Sequence, residues 1–178
     1  MASRNRVIYQ SEGIMVSKEA TSNSSADHTQ LYRVQSANYS YTINRQDVNQ
    51  YGELARIDSL VLEPPTVSVD FSYYLTDGYN ERCLGFYVQT GIAAQGNFAS
   101  GHLTAGSGVN VYIYTSPEGT DLNTNDGGAA DNATDKVIGI GNCYLSDYSI
   151  DLSVGALPTA SVTMEGSNVR SSAGNAVK

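Results

Sequence analysis

Hydrophobic and polar side chains alternate most clearly between Thr66 and Leu75, where every second residue is apolar. The apolar positions are Val67, Val69, Phe71, Tyr73 and Leu75, and on the other face only Tyr74 breaks the polar pattern. Since successive side chains of a strand point to opposite faces, this pattern predicts a half-buried strand. Such a strand needs a second layer over its apolar face, and its edges need partners within the chain or in a neighbouring subunit.

Comparable patterns predict about eight strands in all. Besides Thr66–Leu75, these strands are Arg6–Ser17 (broken at Glu12-Gly13), Leu31–Ile43, Ile57–Glu63, Val109–Thr115, Val137–Leu145, Tyr148–Val154 and Thr159–Glu165. The pattern indicates a hairpin between Val137–Leu145 and Tyr148–Val154, while Cys83–Gln89 fits either a strand or the end of a short helix. We therefore expect a mainly β fold, a β-sandwich or partly open barrel with one short flanking helix.

Polar segments connect these strands within a single domain, 1–178, which is the default for a chain of this length. Residues 18–30 and 116–136 are predicted to be long loops, and residues 167–178 a polar C-terminal tail. The first loop is either an arm that reaches a neighbour or an ordinary surface loop. A polar insert at Asn44–Glu53 is interpreted as a turn or a short helix.

The chain is acidic, with a net charge of −8 and no run of Lys or Arg. This composition argues against a surface that grips phosphates, because nucleic-acid binders usually carry a basic stripe. It does not argue against a protein that surrounds DNA without binding it. The first ten residues lack the apolar core of a signal peptide, and no segment is long enough to cross a bilayer, so we expect a soluble protein without a membrane partner.

The residues that could bind a metal or form a disulfide are few. The segment Asp121–Asn132 begins like a calcium-binding EF-hand loop, but it lacks the glycine at position six and the glutamate at position twelve. Cys83 and Cys143 are interpreted as two buried thiols in preference to a disulfide. His28 and His102 are interpreted as loop residues. We therefore predict no metal site and no cofactor.

Catalytic patterns are also weak. Paired carboxylates can hydrolyse glycosidic bonds, and Asp47 with Glu53, or Asp147 with Asp151, are candidate pairs, but carboxylates are common and spacing alone is not specific. The sequence has no G-x-S-x-G motif for a serine hydrolase. The chain is therefore not expected to be an enzyme.

Two segments carry a resemblance to a known family. They are YSYTINRQDVNQYGELARIDSLVLEPPTVSVDFSYYLTDG, starting at Tyr39, and DYSIDLSVGALPTASVTMEGSNV, starting at Asp147. Both resemble major tail tube proteins of tailed bacteriophages. The resemblance implies a structural virion protein of the tail, made in the host cytoplasm, whose rings, usually hexameric, stack into a hollow tube through which DNA passes without specific binding. It also implies edge strands that join neighbouring subunits in a ring, and contacts with tail sheath, tape measure, baseplate and neck proteins.

The polar insert is the candidate subunit interface. It combines opposite charges with an aromatic ring that has a hydrogen-bonding end, a composition suited to protein contacts. The candidate residues are Arg45, Asp47, Tyr51, Glu53 and Arg56. Two alternatives stay open: another ring-forming tail component, from the baseplate or neck, and a carbohydrate-binding β-sandwich module that uses tyrosine rings as sugar platforms.

Overall fold

The computed structural model describes residues 7–18, 28–52, 57–86, 108–117 and 136–173. Their elements are β1 (Val7–Lys18), β2 (Thr29–Gln30), β3 (Val34–Thr42), β4 (Arg45–Val48), β5 (Asp58–Val61), β6 (Thr66–Tyr74), α1 (Tyr79–Leu84), β7 (Val109–Pro117), β8 (Lys136–Asp151), β9 (Thr159–Gly166) and β10 (Asn168–Ala173). Over these ranges the chain is mainly β with one short helix, which confirms the predicted fold class. No helix of the described residues is long and apolar enough to span a bilayer.

Eight of the strands form one antiparallel sheet that folds into two layers. Sheet I contains β2, β1, β7, the first part of β8 and β10, while sheet II contains the second part of β8, β9, β6 and β3, in that order. One core cluster draws on both layers, with Ile14 and Val111 from sheet I and Val69 and Met164 from sheet II. The two sheets therefore face each other across a shared core, as in a β-sandwich.

Strand β6 follows the predicted alternation residue by residue. Val67, Val69, Phe71 and Tyr73 are buried, and the residues between them face outward or are half-buried. The strand lies between β3 and β9, so its backbone groups are paired on both sides. Its apolar face supplies much of the core of sheet II.

Strand β8 contradicts the predicted hairpin between Val137–Leu145 and Tyr148–Val154. It is one strand of 16 residues whose first part pairs with β7 and β10 and whose second part pairs with β9. Asn142 adopts a positive φ of 54°, and the register shifts between Leu145 and Asp147. These irregularities bend the strand and change the phase of the hydrophobic alternation without reversing the chain direction.

The C-terminal segment also differs from the prediction. Residues 168–173 of the expected polar tail form β10, which pairs with β8 from Lys136 to Gly141. Backbone hydrogen bonds hold an edge strand without a run of apolar side chains, and Val169 still packs against the core. The polar composition of residues 168–173 therefore led to the wrong prediction of a tail where the structure has a strand.

The predicted connections are partly strand as well. Lys18 ends β1, Thr29–Gln30 forms β2, and Lys136 begins β8, while residues 19–27 and 118–135 lie outside the described ranges. The segment Asp121–Asn132 and His102 therefore lie outside them too. Strand β1 is not broken at Glu12-Gly13, because both residues pair with β7, and its register shifts before them.

The sequence around Cys83 fitted either a strand or the end of a short helix, and the structure shows the end of a short helix, α1. Gly78 precedes the helix with φ 77° and Gly85 follows it with φ 103°, a left-handed conformation that glycine adopts without strain. Asn80, Glu81 and Leu84 are its buried residues. The helix is thus anchored by one apolar and two polar side chains.

Candidate subunit interface

The outer face of sheet II is polar and acidic. Side chains of paired residues in adjacent strands lie on the same face, so the register aligns them in rows such as Asn38–Asp70–Thr163–Asp147. Other rows are rich in hydroxyl groups, and Ser36 Oγ lies 2.6 Å from Ser72 Oγ. The carboxylates of this polar face are Asp70, Asp147, Asp151 and Glu165.

No Lys or Arg occurs in β3, β6, β9 or the second part of β8. The polar face therefore carries negative charge without cations from its own strands. Such a surface repels phosphate groups, since their attraction to proteins depends on Lys and Arg.

Both lateral edges of sheet II are unpaired among the described strands. On one side β3 pairs only with β6, and on the other the Tyr144–Asp151 part of β8 pairs only with β9. Every pairing in sheet II is antiparallel, so β3 and β8 run in opposite directions. The two open edges can therefore form an antiparallel ladder with each other when copies stand side by side.

Strands β4 and β5 form a separate two-stranded sheet. The predicted turn or helix at Asn44–Glu53 is therefore largely a hairpin: Arg45 pairs with Val61 and Asp47 with Ser59. Arg45 and Asp47 share one face and are exposed, and Tyr51 in the turn is fully exposed. Glu53 and Arg56 lie outside the described residues.

The hairpin also exposes apolar side chains on both faces. Its exposed large apolar residues are Val48, Ile57, Leu60, Val61 and Leu62, and Leu60 is 57% exposed. An isolated two-stranded hairpin is marginally stable in water, and adjacent exposed apolar residues usually mark a contact surface. The sequence pattern predicted a strand at Ile57–Glu63 but gave no sign that its apolar side chains would be exposed.

Solved structures share this architecture. The SPP1 tail tube protein matches with a TM-score of 0.56 at 13% identity, covering 94% of this chain and 80% of that one. The tail of a gene transfer agent particle matches with a TM-score of 0.55 at 9% identity, over 94% and 98% of the two chains. The anti-feeding prophage tube terminating cap matches with a TM-score of 0.54 at 10% identity, over 97% and 95%. This chain has the tail-tube fold.

The tail-tube fold confirms the resemblance drawn from the two sequence segments, as far as architecture is concerned. No protein-family profile matches the chain, and no curated protein matches its sequence. The assignment therefore depends on the three-dimensional arrangement of strands and not on sequence identity.

In this tail-tube fold a buried carboxylate anchors the helix to sheet II. Glu81 is 1% exposed, and its Oε1 accepts hydrogen bonds from the hydroxyls of Tyr73, at 2.7 Å, and Tyr148, at 3.1 Å. Burial, followed by the hydrogen bond to Glu81, raises the pKa of Tyr73 well above its ordinary value, and burial raises that of Tyr148 to about 12. The network joins α1 to β6 and to the second part of β8.

A second buried polar residue holds the helix from the other side. The Asn80 side chain donates to the Tyr32 carbonyl at 2.8 Å and accepts from the Tyr32 amide at 2.9 Å. Both polar ends of the amide are thereby satisfied, as a buried amide requires. The helix thus fixes the chain just before β3, next to one open edge of sheet II.

The outward side of sheet I is covered locally in this tail-tube fold. Tyr112 and Tyr114 are buried in a cluster with Met15 and Val137, separate from the core between the two sheets. His28, in the irregular segment before β2, stacks on Tyr112 at 4.2 Å, and its Nδ1 lies 2.9 Å from the Tyr114 hydroxyl oxygen. A residue interpreted as an ordinary loop histidine thus packs against the sheet.

Cys83 and Cys143 do not form a disulfide; Cys143 is buried as predicted, whereas Cys83 is only half-buried. Burial raises the pKa of the Cys143 thiol to about 12. In the described part of the chain, no three His, Cys, Asp or Glu residues are grouped so as to hold a metal ion.

Proposed function

We propose that this chain is the major tail tube subunit of a tailed bacteriophage. Copies of it would form rings, the rings would stack into a hollow tube in the virion tail, and DNA would pass through the lumen during ejection. The single observation that carries the proposal is sheet II, which combines two open antiparallel edges with an outer face free of Lys and Arg.

Ring closure follows from the positions of the open edges. Strand β3 of one copy pairs with Tyr144–Asp151 of the next, so the same contact repeats around the ring and leaves no edge exposed. The rotation between copies sets the number of subunits. The gene transfer agent tail was solved with C6 symmetry, which supports six subunits per ring here.

The polar face then lines the lumen. Asp70, Asp147, Asp151 and Glu165 present negative charge to the DNA phosphates, and hydroxyl groups fill the rows between them. A passing duplex meets repulsion and short polar groups, so it does not bind the wall. As a tail tube subunit, the chain would also contact tail sheath, tape measure, baseplate and neck proteins.

The β4–β5 hairpin supplies a further subunit contact, including the candidate residues Arg45, Asp47, Tyr51, Glu53 and Arg56. Its exposed apolar residues lose water contact against another copy, and the charged pair on β4 fixes the orientation of that contact.

Negative-stain electron microscopy of the purified chain tests the assembly directly, with mass measurement of small assemblies in the same buffer. Long hollow tubes are the expected result. A strict monomer at high protein concentration contradicts the proposal and favours a binding module, which glycan affinity measurements would then examine.

The hairpin contact has its own test. The double reversal Arg45→Glu/Asp47→Arg is expected to shorten or abolish tubes while leaving the circular dichroism spectrum unchanged. The matched control Arg45→Lys/Asp47→Glu keeps both charges and is expected to assemble normally. Normal tubes from the double reversal remove these two residues from the interface.

A second candidate function is a tube-capping or baseplate ring. The chain is about as similar to the anti-feeding prophage tube cap as to the tube proteins, and it matches a chain of the anti-feeding prophage baseplate with a TM-score of 0.52 at 10% identity. Polymer length separates the two candidates, because a capping or baseplate subunit stops at a closed ring. Tubes of many stacked rings exclude it.

A further inference from the structure

We propose that the turn between β8 and β9 of one copy inserts Leu152 into a groove beside β3 of the next copy. This inference rests on the proposed pairing of β3 with β8 between subunits. It adds a specific side-chain contact that locks the lateral junction of the ring and sets its register.

The groove lies between the two sheets at the open β3 edge. Its volume is about 260 Å³, and its lining includes Ile14 and Ile113 from sheet I and Val34 and Ala37 from β3. A cavity of about 150 Å³ is enough to hold benzene, so this groove has room for a branched aliphatic side chain. Glu12 and Ser36 add polar groups to its lining.

The turn is unusually apolar for a connection between strands, which normally carries polar residues. From Leu152 to Pro158 it contains no charged residue, and Leu152 is 72% exposed. Val154 and Leu157 are exposed as well, and Gly155 makes the turn with φ 89°. Within the described residues, no side chain of the same copy covers these groups.

The register of sheet II places this turn level with the groove. Ser149 lies in the same row as Ser36, through Ser161 and Ser72. The row beyond it contains Asp151, where β8 ends. When the rows continue from one copy to the next, the turn that follows Asp151 therefore comes to lie beside the first residues of β3, where the groove opens.

The direction of the side chain also fits. Tyr148 and Ile150 pair with Val162 and Ala160, which point to the core side of sheet II, whereas Asp151 belongs to the polar face. Leu152 directly follows the end of β8, and if the alternation continues by this one residue, its side chain points to the core side. The groove opens on that same side, because Ala37 pairs with the buried Phe71.

Disulfide trapping tests this contact, because a disulfide forms only when the two Cα atoms lie within about 7 Å. Leu152→Cys and Val34→Cys, which lies at the start of β3 where the groove opens, are combined in one chain with Cys83→Ala, and assembled tubes are oxidised and run on a non-reducing denaturing gel. A ladder of covalent oligomers is expected. The matched control replaces Val34→Cys with Tyr39→Cys, on the same face of β3 but about 13 Å along the sheet, and each single cysteine variant is run beside it.

The outcomes separate this inference from the proposed function. Tubes that form but give no ladder from the first pair, or give one from the control pair, overturn the Leu152 contact and leave the tube role intact. A wild-type chain that forms neither tubes nor rings overturns both.

A substitution gives an independent readout. Leu152→Asp is expected to raise the protein concentration needed for assembly by at least about tenfold, since burial of the leucine side chain is lost. Leu152→Met keeps an apolar side chain of similar size and is expected to assemble as the wild type does. Equal assembly of Leu152→Asp and wild type overturns the inference.

Discussion

Replacing Tyr73 with Phe removes one oxygen atom from the most deeply buried polar network of the described chain. The Tyr73 hydroxyl donates to Glu81 Oε1 at 2.7 Å, and both residues are almost fully buried. Phenylalanine keeps the ring and its packing. Any loss of stability therefore reports the removal of this hydrogen bond from the Glu81 carboxyl group.

The expected loss is about 1–3 kcal/mol, the range for removing one hydrogen-bond partner of a buried polar group. Tyr148→Phe is expected to cost about 1 kcal/mol, because its bond to Glu81 is longer, at 3.1 Å, and its side chain is only half-buried. Combining Tyr73→Phe with Glu81→Met removes both polar partners. The double variant should lose less stability than the sum of the two single losses.

Urea unfolding of the monomeric chain measures these differences in the free energy of unfolding. They follow from the shift of the urea midpoint, provided that the dependence of the free energy on urea concentration is unchanged. Tyr148→Phe serves as the control, since it has the same chemistry at a more exposed site. A loss of less than about 0.5 kcal/mol for Tyr73→Phe, or equal losses for both tyrosines, would refute the view that burial makes this bond important.

Three further predictions follow from other sites. Burial and the bond to Glu81 raise the pKa of Tyr73 above 10.0, so the unfolded chain loses this proton first. The contribution of Tyr73 to stability therefore holds below about pH 10 and falls above it by up to about 1.4 kcal/mol per pH unit, and Tyr73→Phe should reduce the slope of stability against pH by that amount in urea titrations. Gly166→Ala places a methyl group 2.6 Å from Ile140 Cγ2 and should cost about 1–3 kcal/mol by the same measurement, whereas equal stability would show that Ile140 can move. Cys143, with its thiol pKa raised to about 12, should resist a thiol reagent until the chain unfolds, so modification of Cys143 in folded Cys83→Ala protein would contradict its burial.

Local alternation was enough to find most strands, because β6 and β9 each bury one face and expose the other. It failed at β8, where a phase change in the pattern was interpreted as a chain reversal. A bulge and a chain reversal both change the phase of hydrophobic alternation, so the sequence pattern does not distinguish them. The pairing of Tyr144 with Glu165 of β9 shows that β8 continues past the bulge. That pairing joins residues far apart in sequence.

The candidate interface was predictable only in part, because local sequence again indicates exposed polar segments but not strand order. Mixed charges beside Tyr51 marked an exposed polar segment, and Arg45 and Asp47 are indeed exposed. The exposure of Leu60 and the open edges of β3 and β8 depend on strand order, which the sequence pattern does not contain. The burial of Tyr112 and Tyr114 likewise depends on His28, which belongs to a segment distant in sequence and packs against them.

The uninterrupted course of β8 through both sheets has a mechanical consequence. In a pressurised cylinder the wall carries tension around its circumference, and a two-layered wall fails most easily where its layers peel apart. Here one covalent strand of 16 residues belongs to both layers, and β9 and β10 follow it across the same bend. In the proposed tube, peeling the layers apart would require shearing many backbone hydrogen bonds together, so the wall of such a tube should respond to load as one elastic sheet.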